Sequence, residues 1–398
     1  MEVLAADIRK AIVRIKVIGV GGGGNSVLLR LAEDKIPGIE LIAVNTDAKQ
    51  LSILNEAGIE AIQIGEKLTK GRGTGGVASV GAQAAEAELA RLETELRDAD
   101  LIFITAGMGG GVGTGASPVI ARLVRQLGIL SIGVVTAPFS FEGKRKQRIA
   151  QEGIEAMRAE MDALIVVQND NLMKLPENKR MTLVQSFKAA DGILRQAILC
   201  ISEVILTTGV INVDFADVKT IFRKSESSDA LLGIGESVSG HAVEAVQRAI
   251  ESPLVERSLA GARGIILNIS GDDKLALYEV NEAMLYISEN AHPDVEIIFG
   301  TVADNTLGDK VRATLVATDF VDSESPGRAP AQSAQAVGGQ RGETAAAPSV
   351  QAGAPAGTQP APQWDRIPSF MERQGDSISP LTMRTDNGDA IPSFRPKR

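Results

Sequence analysis

Leu101-Ile102-Phe103-Ile104-Thr105-Ala106, followed by Gly107-Met108-Gly109-Gly110-Gly111-Val112-Gly113-Thr114-Gly115, is the stretch that decides how the chain folds. The first part is an apolar run of strand length. After the second come Ala116-Ser117-Pro118, then Val119, Ile120, Leu123, Val124 and Leu127 at helical spacing. Six glycines therefore sit between a buried strand and a helix N-terminus. Glycine admits positive φ and lets a ligand approach the main chain. The free N–H groups and the dipole of a helix start attract an anion. The stretch predicts a phosphate cradle. It contains no lysine: a P-loop ends in Gly-Lys-Ser/Thr, whereas Gly113 is followed by Thr114-Gly115. Backbone amides, a hydroxyl and a metal ion are expected to hold the phosphate.

Upstream, Ala11 to Val20 reads as a strand entering Gly21-Gly22-Gly23-Gly24-Asn25-Ser26, then a helix through Val27, Leu28 and Leu31. Gly19, Gly21 and Gly24 satisfy the dinucleotide fingerprint G-x-G-x-x-G. Leu41 to Asp47 is a second strand, and Asp47 falls about where a ribose-binding acid would. Alone, this half suits an NAD-dependent dehydrogenase. A third glycine stretch, Gly71-Arg72-Gly73-Thr74-Gly75-Gly76, also reads as standing between a strand and a helix. Three such loops at one sheet edge suit a triphosphate better than a pyrophosphate bridge. A dehydrogenase also needs an acid–base group near the strand ends, and the two histidines, His241 and His292, come much later.

Ser131 to Thr136 and Ala163 to Val167 continue the alternation of strands and helices. The pattern is α/β, a mostly parallel, doubly wound sheet with ligands at the carboxyl ends of its strands. A long helical pattern follows, with Leu183, Val184, Phe187, Ala190, Leu194, Ala197, Ile198, Ile201, Val204 and Ile205 repeating at three- and four-residue steps; Gly209 ends it. Phe187 and Asp191 share one face. An aromatic can stack on a base. A carboxylate accepts from N1–H and N2–H of guanine and repels the acceptor N1 of adenine. Phe187 also suits plain core packing. Next stands Asn212-Val213-Asp214-Phe215-Ala216-Asp217, two acids and an amide before a new helix. Asp214 or Asp217 would serve as an N-cap or first-turn acid; the set would equally position a water or face a metal. The rest, to about Phe320, alternates strands (Gly264 to Ile269, Val295 to Gly300, Val311 to Thr318) with helices (Ser239 to Glu251, Lys274 to Asn290) as a second, α+β domain. The last helix is expected to turn Leu275, Leu277, Tyr278, Val280, Ala283, Met284 and Ile287 inward.

The loop at Gly107 resembles the signature of the tubulin/FtsZ GTPase family, and the resemblance runs from about Val13 to Phe320 and again at the C-terminus. It implies GTP/GDP as ligand, with Mg²⁺, and a GTPase of the cell-division cytoskeleton that polymerises head to tail. Gly22, Asn25 and Ser26 would lie near the base and α-phosphate, with Gly21 and Gly23 beside them. Gly73, Thr74, Gly75 and Gly76 would lie at the γ-phosphate. The loop from Gly107 to Gly115, including Gly109, Gly110, Gly111, Val112, Gly113 and Thr114, would cradle the phosphates. Glu142 and Lys146 would lie at the ribose, and Asn45, Asp47, Pro138, Asn169, Phe187 and Asp191 complete the nucleotide set. Asn212, Asp214 and Asp217 match the family's acid loop, which completes hydrolysis in the site of the next subunit. The metal ligands are not assigned. Departures cluster on the ligand side. Val112 replaces a threonine, Val77-Ala78-Ser79 an Asn-Pro-Glu, Gln168 a proline, Asn171 an arginine and Gly192 a second acid or amide. An assembly paralogue that hydrolyses weakly or not at all therefore remains an alternative.

Net charge −9 and pI about 5.1 argue against an extended nucleic-acid footprint. One cysteine, Cys200, excludes an internal disulfide framework and reads as a small core residue of a cytoplasmic protein. No signal peptide and no membrane span are expected. The expected organisation is an extension over 1–12, a GTP-binding domain over 13–180, a central helix over 181–209 and a second domain over 210–320. A disordered linker over 321–363, rich in Ala, Gly, Pro, Gln and Ser, and a tail over 364–398 complete it. The tail repeats Ile-Pro-Ser-Phe at Ile367–Phe370 and Ile391–Phe394. By resemblance, Asp389 to Arg398 would bind membrane-tethering division proteins at the inner face of the membrane, with Asp365 to Met371 as a second grip.

Overall fold

Short β-branched runs alternate with amphipathic helices, and the computed structural model folds them accordingly. It describes residues 13–175, 180–206, 213–225, 227–255, 257–271, 276–304 and 307–321. In chain order these are β1 (Ile15–Val20), α1 (Gly21–Asp34), β2 (Ile39–Asn45), α2 (Ala48–Glu56), β3 (Glu60–Gln63), α3 (Ala78–Glu86), α4 (Leu89–Leu96) and β4 (Leu101–Gly107). Then come α5 (Val112–Gln126), β5 (Leu130–Ala137), α6 (Lys144–Arg158), β6 (Ala163–Gln168) and α7 (Leu183–Leu206). The last part holds α8 (Phe215–Lys224), β7 (Asp229–Ser237), α9 (Ala242–Ile250), β8 (Ala262–Gly271), α10 (Leu277–Asn290), β9 (Glu296–Ala303) and β10 (Val311–Phe320).

The strands run β3-β2-β1-β4-β5-β6-β7-β10-β8-β9. The first six are parallel neighbours. β7 joins β6 in parallel through Leu164–Asp229 and Ile165–Ala230, then β10 pairs antiparallel with both β7 and β8. The strand order reverses between β1 and β4, and ligands of open α/β sheets bind at such a switch point. β1 and β5 are buried along their whole length, because helices cover both faces. One face packs under Val27, Leu28 and Leu31 of α1 and Leu194, Ile198 and Ile201 of α7. The other packs under Leu92 and Leu96 of α4, Ile120 and Val124 of α5, and Ile154 and Met157 of α6.

Three sequence expectations are corrected. The helices after the first two glycine loops begin inside those loops, at Gly21 and Val112, rather than beyond them. A one-turn helix, Glu66–Thr69, separates β3 from the third glycine stretch. In α10, Leu277 and Tyr278 are exposed rather than inward; Val280, Ala283 and Ile287 carry the buried stripe. Tyr278 lies two residues before Val280, which puts it on another face of the helix. Cys200 is buried as expected, and burial pushes its thiol up, so it stays protonated. Residues 1–12, Gly209, Asn212, Leu275, the linker from 322 onward and both Ile-Pro-Ser-Phe peptides lie outside the described residues. Among the described residues, no helix is long and apolar enough to cross a membrane.

α7 runs beside α1 with two ion pairs of opposite polarity. Arg30 Nε lies 3.4 Å from Asp191 Oδ2, and Arg195 Nε 2.5 Å from Asp34 Oδ2, with a second Arg195–Asp34 contact making that pair bidentate. Both pairs join residues 161 apart in the chain, so the helices are parallel and in register. Sliding one helix by a turn would set Arg30 against Arg195, or Asp34 against Asp191. Asp34→Ala is expected to cost about 2 kcal/mol in urea unfolding, because it strands a part-buried guanidinium. The double change Asp34→Arg with Arg195→Asp should recover most of that loss.

Candidate functional site

The carboxyl ends of β1 and β4 each feed directly into a helix, and the two helix starts meet. A Cβ on Gly21, where φ is +69°, would lie 2.8 Å from Gly113 N, so α1 and α5 touch at their first turns. Their dipoles and free N–H groups point into one crevice at the switch point. Gly24 and Gly115 are required by packing alone: a Cβ on Gly24 would collide with the Thr105 carbonyl, and one on Gly115 with the Ala78 carbonyl. The third glycine stretch closes against the second loop, since a Cβ on Gly111 would collide with Thr74 Oγ1. Gly109, at φ +91°, passes 3.0 Å (Cβ to atom) from the Lys146 carbonyl, which sets the loop after β5 beside the cradle. Thr114 Oγ1 accepts from Gly109 N at 2.9 Å and braces the turn from within.

Two glycines have no such structural reason. Gly73 and Gly110 are not in the positive-φ region, and no heavy atom lies within 4 Å of a Cβ built on either. The fold itself would accept alanine there. Both leave the main chain open on the crevice side. Gly75 and Gly76 also face open space but need glycine for their φ of +64° and +79°.

Beside the first glycine loop, Asn25 and Asn45 are buried. With its nitrogen turned to the Gly19 carbonyl at 2.7 Å, the Asn25 amide presents its oxygen to Asn45 Nδ2 at 3.0 Å. Asn45 Oδ1 accepts from Thr46 N at 2.8 Å. Asp47 caps α2, its Oδ1 accepting from Lys49 N at 3.0 Å and Gln50 N at 3.4 Å. Gly22 faces the Gln50 side chain, and Ser26 Oγ donates to the Gly22 carbonyl. Glu142 braces its own loop: Oε1 accepts from Phe139 N at 3.0 Å and Oε2 from Lys146 Nζ at 2.9 Å. Pro138 lies against Gly109, and Asn169 is buried at the end of β6 with an unpaired Oδ1. The Phe187 ring stands edge-on to Phe139 at 5.5 Å and remains 41% exposed. Asp191, one turn on, pairs with Arg30; burial raises its carboxyl, and Arg30 pulls it back down.

The acid loop sits elsewhere. α7 starts at the carboxyl edge of the sheet, where Phe187 meets Phe139 after β5. It ends at the amino edge, where Leu206 packs against Gly38 just before β2. The 19 residue steps from Phe187 to Leu206 span about 29 Å of helix. Asp214 and Asp217 follow that far end. Both are exposed; Asp214 caps α8, its Oδ1 accepting from Ala216 N at 3.0 Å. The N-cap reading of Asp214 is thus realised, and neither acid joins the glycine loops of its own chain. Among the described residues no group of three His, Cys, Asp or Glu side chains could hold a metal ion.

Residues 14–177 match the GTPase domain of the Tubulin/FtsZ family, and residues 228–321 match the FtsZ C-terminal domain. An empty FtsZ dimer from M. jannaschii is 38% identical, with 80% of this chain and 91% of that one covered and a TM-score of 0.73. A tryptophan-to-tyrosine mutant of M. jannaschii FtsZ is 39% identical, with 80% and 95% covered and a TM-score of 0.75. This chain is an FtsZ-family GTPase. CetZ2 from Haloferax volcanii, in a GTPγS-bound protofilament, shares the fold at 21% identity, covering 78% of this chain and 94% of its own, with a TM-score of 0.65.

Within an FtsZ-family frame the departure at Val112 has a packing reason. Its side chain is buried with the apolar residues under α5. Val77, by contrast, is exposed at the N-cap of α3, and Gly192 faces open space. Sequence reasoning missed Phe139 and Arg30. Phe139 is fully buried, stacks on Phe141 at 5.0 Å and carries Phe187 on its edge. Two phenylalanines flanking Ser140, in a chain with 10 phenylalanines, were the available signal. Arg30 had none, because its partner lies 161 residues away. Gly110→Ala is expected to fold normally and to weaken GTP binding about tenfold or more, as a methyl displaces a charged oxygen from its donors. Gly115→Ala should instead lower the unfolding temperature before any ligand is added. Titration calorimetry and thermal melts check both.

Proposed function

We propose that the chain is a GTP-dependent polymerising GTPase of the cell-division ring. In this reading each GTP is hydrolysed between two copies. One carries the glycine cradle; the next supplies Asn212, Asp214 and Asp217. The single observation supporting it is the length of α7, which separates base-side groups from acid loop by far more than a side chain can span. The matched FtsZ dimer and CetZ protofilament are further support for self-association. The division into 13–180, 181–209 and 210–320 is kept as part of the proposal, the second part serving to present the acid loop.

The mechanism follows from the donors available. The triphosphate lies along the amides of Gly21 to Gly23 and Gly109 to Gly113, with Gly73 to Gly76 at the γ-phosphate. Amides fixed beforehand by packing stabilise charge developing on the transferring phosphoryl oxygens. Mg²⁺, when bound, would be carried by phosphate oxygens and water, and supplies charge neutralisation there. Asp214 and Asp217 of the next copy orient the attacking water. Asn45, Asp47, Pro138, Glu142, Lys146 and Asn169 frame the sugar and base, with Phe187 stacking and Asp191 reading guanine. The buried methyls of Val112 favour, as a second reading, an assembly protein with slow turnover. The protein would work in the cytoplasm at the division site. Asp389 to Arg398 would dock a membrane-tethering division protein, and Asp365 to Met371 would add avidity.

Turnover per molecule should rise with protein concentration until filaments saturate. Asp214→Ala should bind GTP as wild type does, yet hydrolyse it at least about a hundredfold more slowly, the range expected when a water-positioning group is lost. Mixing Asp214→Ala with Gly110→Ala should restore part of the activity, since each then supplies the half the other lacks. Turnover that is independent of concentration, or mixtures no more active than their components, would sink the reading. Loss of Ile391 to Arg398 should abolish most co-sedimentation with a tethering partner; alanine at Ile367 and Phe370 should weaken it modestly.

A further inference from the structure

The helix that opens the phosphate cradle also carries a cation to the base-reading carboxylate. α1 begins at Gly21, against Gly113, and about two and a half turns later presents Arg30 to Asp191. Asp191 lies on α7 one turn beyond Phe187, with its side chain 20% exposed. Arg30 is its only ion-pair partner among the described residues. The contact is made by Nε on one oxygen, Oδ2. A carboxylate offers about four lone-pair sites, so both oxygens keep a site for a second donor pair. We propose that Arg30 is a positioning residue for base recognition, holding the Asp191 carboxylate in place to accept from the N1–H and N2–H of guanine. The proposal rests on the reading of Asp191 as the guanine acceptor.

A mainly buried acid without a cation tends to take up a proton and becomes a donor. Protonated Asp191 would face the N1–H of guanine with an O–H and lose its discrimination. Burial already raises the Asp191 carboxyl, and Arg30 opposes that rise. The other charged groups nearby are accounted for. Asp34 and Arg195, on the same two helices, are paired with each other. Lys188, one turn before Asp191, is exposed. In the loop behind Phe187, Phe139 and Phe141 are uncharged, and Glu142 is held by Phe139 N and Lys146. Among the described residues, Arg30 is the ion-pair partner that opposes the rise of the Asp191 carboxyl, so removing it lets burial push that carboxyl further up. A guanine carboxylate complex is lost as pH falls through the carboxyl's pKa, and without Arg30 that pKa is higher.

The test is displacement of a fluorescent GTP analogue from the full chain by GTP, ITP and ATP across a pH series. The variants are Arg30→Gln, Arg30→Lys, Asp191→Asn and Asp34→Ala. Arg30→Gln is expected to lose about tenfold in GTP affinity near neutral pH, the worth of one charge-assisted contact, with little change for ATP. Its acid midpoint for GTP binding should lie above that of wild type, and Arg30→Lys should recover part of both effects. Asp34→Ala breaks the other ion pair between the same helices and should leave base preference unchanged. If Asp34→Ala matches Arg30→Gln, helix spacing is responsible and the proposal fails. If Arg30→Gln keeps wild-type preference and midpoint while Asp191→Asn has lost guanine preference, the proposal fails and the Asp191 reading stands. If Asp191→Asn keeps guanine preference, the reading of the base itself fails, and the role of Arg30 with it.

Discussion

Everything in this molecule depends on two helix N-termini meeting at one point of a parallel sheet. Helices α1 and α5 leave adjacent strands, β1 and β4, and their first turns come into contact. A helix start has unpaired N–H groups. Two starts side by side would repel each other's positive ends unless an anion lay between them. The protein solves this geometrically. Glycine removes the Cβ at Gly21, Gly24, Gly111, Gly113 and Gly115, so main chains approach closely enough to form one continuous donor surface. A lysine is unnecessary where so many amides converge.

The glycines accordingly serve two purposes that look identical in sequence. At Gly24 and Gly115 a side chain would strike another backbone, and the fold requires the gap. At Gly73 and Gly110 nothing of the protein fills the space, and the fold does not require the gap. A side chain at the first pair would strain the fold; one at the second would meet only open space. The same distinction explains Val112. Its position at the start of α5 is formally in the cradle, yet its methyls belong to the core beneath.

The second organising constraint is the length of a helix. α7 is 24 residues long and packs its apolar stripe into the core from Ala190 to Val204, fixed against α1 by two ion pairs of reversed polarity. A rigid helix of that length holds its ends apart. The aromatic and carboxylate near its start stand at the carboxyl edge of the sheet, and the acids beyond its end stand at the other edge. In the proposed reading, assembly then becomes part of the chemistry. The pairing that fixes the helix register also ties α7 to the helix that opens the glycine crevice, because α1 carries both Gly21 and Arg30.

Much of this was legible in the chain itself. The run Leu101 to Ala106 and its glycines determined a strand, a turn and a helix, because buried parallel strands need unbroken apolar sequence and phosphate loops need absent side chains. Periodicity determined α7 and the apolar faces of most helices, and spacing determined that Phe187 and Asp191 share a face. Three-dimensional packing decided the rest. The helices begin at Gly21 and Val112, inside the glycine runs, a boundary that the glycine pattern did not mark. The exposure of Leu277 and Tyr278 depends on where α10 meets the sheet, not on their hydrophobicity. The cap at Asp214, by contrast, was legible in the sequence, because the N–H it accepts from is only two residues on. The partners Phe139–Phe187, Arg30–Asp191 and Asp34–Arg195 lie too far apart in sequence to be read from it. Local interactions are written in neighbouring residues; long-range pairing exists only once the sheet order and helix register bring distant residues together.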